Sequence, residues 1–205
     1  MRGYRATAEI PPLVGRALDL AERMRFPHSC TPEVGRLLRA MVGSCRSGVV
    51  AEIGTGCGVG AAWMVSGLAP GVPLVTVESD AERASAARAL FAPYPNVRVL
   101  HGDWPAILAH APFALLFADG GRAKEREPEC LLSALAPGGL ILLDDLTPES
   151  RWKPEQRAQW PVDPVRAFWL NDPRLLATEL LTTSESGVIL AARLNDRDSG
   201  GTPTA

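Results

Sequence analysis

The stretch Val49-Val50-Ala51-Glu52-Ile53-Gly54-Thr55-Gly56-Cys57-Gly58-Val59-Gly60 decides how this chain is interpreted. It joins a short apolar run to an acid and then to glycines at alternate positions. An apolar run of this length is typical of a buried parallel strand, and the glycines after it let the backbone turn sharply and approach a ligand closely. A glycine-rich turn without a ligand is the alternative. The acid and the four glycines together favour a nucleotide-type binding loop.

The size and composition of the chain limit its partners. Its 205 residues suffice for one well-buried α/β domain but are short for two. A net charge of −2 gives no electrostatic reason to expect nucleic acid or an anionic membrane. No apolar run approaches spanning length, and the segment Met1–Arg5 lacks the apolar stretch of a secretory signal. We therefore expect a cytoplasmic protein whose partner is a small-molecule substrate.

The cysteines and histidines do not form a recognisable zinc motif. The chain has no C-x-x-C pair and no cluster of histidines, so we expect reduced thiols. Cys57 lies within the glycine loop, but no base is identifiable beside it, and it is interpreted as a small packing residue. His28 is kept as an alternative candidate for a catalytic base.

Apolar strands alternate with helical segments from residue 49 onward. This alternation predicts a Rossmann-like α/β fold with a mostly parallel, seven-stranded sheet and helices on both faces. Two apolar segments near the end, 175–183 and 187–193, are separated by only three residues and predict a C-terminal antiparallel hairpin. The expected organisation is one domain over 1–194, with N-terminal helices in 1–45, the core in 46–194 and a disordered tail over 195–205. A helix is predicted for Asp80–Phe91 and another for Lys124–Leu135.

Two classes of cofactor compete for the glycine loop. Residues 56–61 can be placed in the G-x-G-x-x-G/A register of a dinucleotide site, so the loop alone does not exclude NAD. The next predicted strand ends in Glu78, whose carboxylate could accept hydrogen bonds from both ribose hydroxyls of either cofactor. An NAD-dependent oxidoreductase that relies on a Tyr-x-x-x-Lys pair is disfavoured because neither tyrosine has a lysine at that spacing.

Several motifs together resemble the class I S-adenosylmethionine-dependent methyltransferases over roughly residues 26–193. They are the E-x-G-x-G-x-G pattern of 52–58, the pair Asp103-Trp104 after the third strand, and the turn Pro137-Gly138-Gly139 before the fifth. In that family an aspartate at the position of Asp103 accepts from the adenine amino group, although Asp103 could also cap a helix that begins at Trp104. The resemblance implies S-adenosylmethionine as cofactor. The residues expected to bind it are Glu52, Gly54, Thr55, Gly56, Gly58, Gly60, Glu78, Ser79, Gly102, Asp103, Trp104 and Asp119.

Within that class, the chain is similar to the catechol and caffeoyl-coenzyme A O-methyltransferases. That group places an Asp at the end of strand four and Asp-Asn at the end of strand five around a divalent cation, which implies that Asp119, Asp144 and Asp145 bind Mg²⁺, Mn²⁺ or Ca²⁺. This chain departs from the group in having Asp145 where the group has Asn. Asp144 and Asp145 could instead hydrogen-bond the turn that follows them. The group usually has a lysine base three residues after the strand-four acid, where this chain has Arg122, which stays protonated. Lys124 could replace it, although its different spacing favours a solvated lysine at the start of a helix. The catalytic candidates are Asp119, Arg122 and Lys124.

These observations predict an O-methyltransferase that acts on a hydroxyl of a small aromatic molecule. A methyltransferase-like module that binds S-adenosylmethionine without catalysis is the alternative, and an NAD-dependent oxidoreductase is a weaker one. Trp152 and Trp160 could stack on a planar acceptor, pack beneath a long loop or form a homodimer contact.

Overall fold

The computed structural model of the protein describes residues 9–120, 122–159 and 162–195, and it contains one seven-stranded sheet. The strand order is β3-β2-β1-β4-β5-β7-β6, and β7 runs opposite to the other six strands. The predicted fold class is therefore confirmed, including the C-terminal hairpin. The strands are β1 Val49–Ile53, β2 Leu74–Glu78, β3 Val97–His101, β4 Phe113–Ala118, β5 Leu135–Leu146, β6 Leu175–Leu181 and β7 Gly187–Arg193.

Helices cover both faces of this sheet, and several begin where the sequence places a cap. Thr31 accepts a hydrogen bond from the N–H of Val34, and Asp80 accepts one from the N–H of Arg83. Two 3-10 helices, Trp104–His110 and Glu149–Arg151, supplement the α-helices. The α-helices are α1 Pro12–Arg23, α2 Pro32–Val42, α3 Val59–Val65, α4 Ala81–Phe91, α5 Ala123–Arg126, α6 Pro128–Ser133, α7 Pro154–Gln159 and α8 Pro164–Asn171.

The core consists of two apolar layers separated by the sheet. Neighbouring residues of a strand point to opposite faces, so Leu115 packs with Trp63 on one side while Leu116 packs with Trp169 on the other. Both indoles are fully buried. The central strand β1 lies between β2 and β4, whose crossovers lead to opposite edges, and a ligand crevice is expected at such a switch point.

The segment between β4 and β5 differs from the prediction. The single helix expected over Lys124–Leu135 is two short helices, because Glu127 adopts φ −135° and ψ 48° immediately before Pro128. Strand β5 begins already at Leu135 and contains Pro137-Gly138-Gly139, where Gly138 has φ +74° and the register with β4 shifts. The turn predicted before strand five is thus an irregularity within that strand.

Some predictions fall on residues outside the described ranges. They concern Met1–Arg5, Trp160 and, apart from Asn195, the tail over 195–205. Among the described residues, no helix combines the length and the apolar character that crossing a membrane requires.

Candidate active site

The glycine loop leaves β1 through a backbone contact that excludes side chains. Gly54 has φ +97°, and a Cβ atom at this position would lie 3.0 Å from the backbone of Gly120. The N–H of Gly54 donates to the carbonyl of Val77 over 3.0 Å, and the N–H of Gly120 donates to the carbonyl of Ile53 over 2.9 Å. The carboxyl ends of β1, β2 and β4 are thereby held together.

Glu52 lies beneath this loop and not on the ligand side of it. Its side chain is buried and accepts a hydrogen bond from Thr76 Oγ1 over 2.6 Å, and Thr76 Oγ1 is 2.5 Å from Thr55 Oγ1. A Cβ atom on Gly60 would lie 2.3 Å from Glu52 Oε1, so the carboxyl group fills the space under the start of α3. Burial raises the pKa of Glu52 to about 8, although the hydrogen bond from Thr76 opposes this shift.

Glu78 ends β2 and is held by several donors. Its Oε2 accepts from the N–H of Gly56 over 2.8 Å, while Oε1 accepts from the N–H of Asp80 over 2.9 Å and from Arg83 Nη2 over 2.7 Å. The guanidinium of Arg83 also lies 5.0 Å from the ring centroid of Phe26, in the α1–α2 connection. The carboxylate at the end of β2 is therefore linked both to the glycine loop and to the N-terminal helices.

Asp103 follows β3 and begins the 3-10 helix through its backbone alone. The N–H of Ala106 donates to the carbonyl of Asp103, but the Asp103 side chain forms no capping hydrogen bond. Gly102 ties this segment to β2, since its N–H donates to the carbonyl of Glu78 over 3.0 Å. The Asp103 carboxylate is exposed and remains available to a ligand.

Three carboxylates meet at the ends of β4 and β5. One oxygen from each of Asp119, Asp144 and Asp145 lies within 4.8 Å of the others. Burial, followed by the proximity of Asp144 and Asp145, raises the pKa of Asp119. Burial likewise raises the pKa of Asp144 to about 6. Asp144 Oδ1 accepts from the N–H of Asp145 over 2.8 Å, and Asp145 adopts φ +60°. A cluster of oxygen donors that repel one another is suited to a hard divalent cation.

Lys124 and Arg122 point in different directions. Lys124 Nζ donates to the main-chain carbonyl of Asp144. Its charge offsets part of the rise that burial causes in the pKa values of Asp119 and Asp144. Lys124 is half-buried, so the expectation that it is a solvated lysine at the start of a helix is wrong. Arg122 is exposed and forms an ion pair with Glu125 at 2.7 Å.

One cavity of about 900 Å³ connects these features. Four of the residues predicted to bind the cofactor do not line this cavity. They are Glu52, Thr55, Gly58 and Gly60, which belong to the glycine motif. Neither Lys124 nor Arg122 lines the cavity. Its wall includes Gly54, Gly56, Glu78, Ser79, Gly102, Asp103, Trp104, Asp119, Asp144, Asp145 and the connection Phe26–Thr31.

Among the residues of the cavity wall that sequence reasoning missed are Arg83, Arg126 and Ser186. A signal existed for Arg83, because it stands at the third position after the cap Asp80 and can reach back to the end of β2. Ser186 lies in the β6–β7 turn, and Arg126 ends α5. Their approach to the cavity depends on tertiary structure that no local pattern indicates.

Comparisons with known proteins match this chain to methyltransferases. Residues 51–146 match a protein-family model described as a methyltransferase domain. A putative O-methyltransferase of Mycobacterium sp. (strain JLS) is 28% identical over 176 residues, which cover 80% of this chain and 78% of that protein. A putative O-methyltransferase of Mycobacterium bovis (strain BCG / Pasteur 1173P2) is 33% identical over 96 residues, 43% of each chain.

Solved structures match nearly the whole chain. An O-methyltransferase from Bacillus cereus in complex with SAH has a TM-score of 0.76 at 24% identity and covers 92% of this chain and 93% of its own. A putative O-methyltransferase from Klebsiella pneumoniae has a TM-score of 0.74 at 25% identity, with 93% of both chains covered. A putative caffeoyl-CoA O-methyltransferase from Staphylococcus aureus has a TM-score of 0.68 at 15% identity, with 93% of this chain and 94% of its own covered.

Proposed function

Since the chain resembles the class I S-adenosylmethionine-dependent methyltransferases in both sequence and fold, we propose that it is an O-methyltransferase. Its acceptor is a hydroxyl group of a small aromatic molecule, and a divalent cation takes part. The observation that carries this proposal is the single cavity shared by Glu78, Asp103 and the three clustered aspartates. A methyl donor bound by Glu78 and Asp103 would thus face the same space as an acceptor bound at the three aspartates.

The cavity wall offers groups that suit S-adenosylmethionine at the glycine loop and at the ends of β2 and β3. A Cβ atom at Gly56 would lie 2.7 Å from the ring of Phe26, so the backbone here leaves a narrow space that a side chain would fill. Glu78 would accept from the ribose, and the uncommitted carboxylate of Asp103 would accept from the adenine amino group, beside Trp104. Once bound, the sulfonium supplies an activated methyl group.

The cluster Asp119, Asp144 and Asp145 suits a divalent cation because all its donors are oxygens and their charges are incompletely balanced. Mg²⁺, Mn²⁺ or Ca²⁺ would supply charge that orients the hydroxyl oxygens of an acceptor and lowers their pKa. The chain itself contributes the positions of the ligands. Lys124 holds the main chain at Asp144, and the backbone of Asp145 turns its carboxylate toward Asp119.

Lys124 is therefore proposed as a positioning residue, and Arg122 is left without a role in proton transfer. The contact of Arg122 with Glu125 supports this assignment, as does the chemistry of guanidinium, which does not release its proton in proteins.

The proposal is tested by methyl transfer from labelled S-adenosylmethionine to catechol, with Mg²⁺ or with a chelator. We expect activity that the chelator and Asp145→Ala both reduce by at least about tenfold. Asp19→Ala is the matched control, because Asp19 is exposed on α1 and does not line the cavity. Calorimetry with S-adenosylmethionine and with NAD identifies the cofactor. Binding of S-adenosylmethionine without transfer to any hydroxylated aromatic would indicate a non-catalytic module, and activity indifferent to chelator and to Asp145→Ala would exclude the cation.

A further inference from the structure

The cavity wall contains two arginines, and they differ in how their charges are used. Arg83 is committed to Glu78 through an ion pair of 2.7 Å. Arg126 also lines the cavity, but its guanidinium forms no hydrogen bond or ion pair with residues 9–120, 122–159 or 162–195. A positive group that faces a ligand cavity without a protein partner is available to an anionic group of the ligand.

The backbone that carries Arg126 is fixed from both sides. The N–H of Arg126 donates to the carbonyl of Arg122 over 3.1 Å, and Trp169 Nε1 donates to the carbonyl of Lys124 over 3.3 Å. Ala123, at the start of the same helix, is fully buried. The short helix α5 is thus anchored to α8, and Lys124 Nζ joins it to the carbonyl of Asp144 in β5, so that the approach of Arg126 to the cavity follows from packed structure.

The neighbouring arginine shows a different arrangement on the same short helix. Arg122 is 66% exposed, pairs with Glu125 and does not line the cavity. One arginine at this end of the sheet therefore has its counter-ion within the protein, and the other, which is also exposed, faces the cavity without a counter-ion among the described residues. The remaining charged residues of this part of the wall are the acids Asp119, Asp144 and Asp145.

We propose that Arg126 selects acceptors that carry a carboxylate, which it binds while the hydroxyl groups of the acceptor face the aspartate cluster. This inference rests on the proposed function and names the substrate class of the same site. A guanidinium presents a planar fork that matches a carboxylate through two parallel hydrogen bonds. Because the other charged groups of this part of the wall are the acids Asp119, Asp144 and Asp145, a carboxylate placed beside them would be repelled. Ser186, in the β6–β7 turn, also lines the cavity and offers a hydroxyl donor.

The test compares two acceptors of nearly equal shape, a dihydroxybenzoate with adjacent hydroxyls and its carboxamide. We measure kcat/KM for each with the native protein, with Arg126→Gln and with Arg98→Gln. Arg98 is the matched control, because it is exposed on the edge strand β3 and does not line the cavity. We expect the preference for the carboxylate to fall about tenfold in Arg126→Gln and to persist in Arg98→Gln. Arg126→Lys keeps the charge without the fork and should retain part of the preference.

Failure of this inference is distinguishable from failure of the proposed function. Turnover of the carboxamide measures methyl transfer independently of any anion site. An unchanged preference in Arg126→Gln, with the carboxamide still methylated, would overturn the role of Arg126 alone. Calorimetry of dihydroxybenzoate binding to the protein saturated with S-adenosylhomocysteine requires no turnover. Equal affinity of the native protein and Arg126→Gln in that experiment would also overturn the inference, whether or not the protein is an enzyme.

Discussion

Arg83 donates from Nη2 to Oε1 of Glu78 over 2.7 Å, and this contact determines how Glu78 can bind a ligand. A carboxylate offers about four acceptor positions. The N–H groups of Gly56 and Asp80 take two of them, Arg83 takes a third, and the Ser79 hydroxyl makes a long contact of 3.5 Å with Oε1. One ribose hydroxyl can therefore bind Glu78 once Ser79 rotates away. Both can bind only if Arg83 also gives up its contact.

Glu78→Gln should weaken the binding of S-adenosylmethionine by about tenfold to a hundredfold. The amide would replace an ionised acceptor by a neutral one, and charge-assisted hydrogen bonds contribute about 1.5–3 kcal/mol. Calorimetry measures the effect, with Glu82→Gln as the control because Glu82 is exposed in the first turn of α4 and does not line the cavity. If both variants bound the cofactor as the native protein does, Glu78 would not be a ribose ligand.

Lys124→Met should lower kcat for methyl transfer by about tenfold or more, because small displacements of catalytic groups are costly. The ammonium group holds the main chain at Asp144, so that its loss would misplace two members of the aspartate cluster. Lys124→Arg retains a cation and a donor, and it should restore most of kcat with an unchanged KM for S-adenosylmethionine. An arginine variant as inactive as the methionine variant would instead indicate that Lys124 accepts the proton.

Glu52 should make the stability of the protein depend on pH. The pKa of its carboxyl group is raised in the folded protein to about 8, against 4.5 as its ordinary value. The folded state therefore binds more protons than the unfolded state between pH 4.5 and about pH 8, and the contribution of Glu52 to stability is fully present below pH 4.5. That contribution is lost as the pH rises through about 8, and it amounts to on the order of a few kcal/mol.

Glu52→Gln tests this dependence because the amide resembles the protonated acid in shape but does not ionise. We expect the free energy of unfolding of the variant, relative to the native protein, to rise steadily between pH values of about 5 and 8. Denaturant titrations at several pH values measure this difference, in which contributions from other titrating groups cancel. A difference that stays constant over this range would show that Glu52 is ionised in the folded protein.

The sequence predicts those features that depend on local patterns. Strand β1 and the glycine loop follow from an apolar run and from positions such as Gly54, where positive φ and close backbone contact require glycine. The acids at the ends of β2, β4 and β5 could be predicted to lie at one edge of the sheet, because parallel strands end on the same side. The resemblance to the methyltransferases and the predicted fold are confirmed.

Features that depend on distant packing could not be predicted in this way. Lys124 stands five residues after Asp119, a spacing that leaves its direction open, and its contact with Asp144 exists only because the tertiary structure brings α5 to the end of β5. Arg126 and Ser186 reach one cavity from separate parts of the chain. Glu52 belongs to the glycine motif, but its place beneath the loop depends on Thr76 in the neighbouring strand.

Replacement by alanine should change the free energy of unfolding in opposite directions at two glycines that lie within helices. A Cβ atom on Gly35 in α2 would lie 2.2 Å from Nε1 of the fully buried Trp63, so Gly35→Ala should lower the free energy of unfolding by about 1–3 kcal/mol through overpacking. A Cβ atom on Gly15 in α1 would meet nothing within 4 Å, and Gly15→Ala should raise it by about 0.5–1 kcal/mol because alanine favours helices. Denaturant titration compares the two variants with the native protein. Equal effects of the same sign would contradict the packing of α2 against Trp63, since helix propensity alone would then account for both.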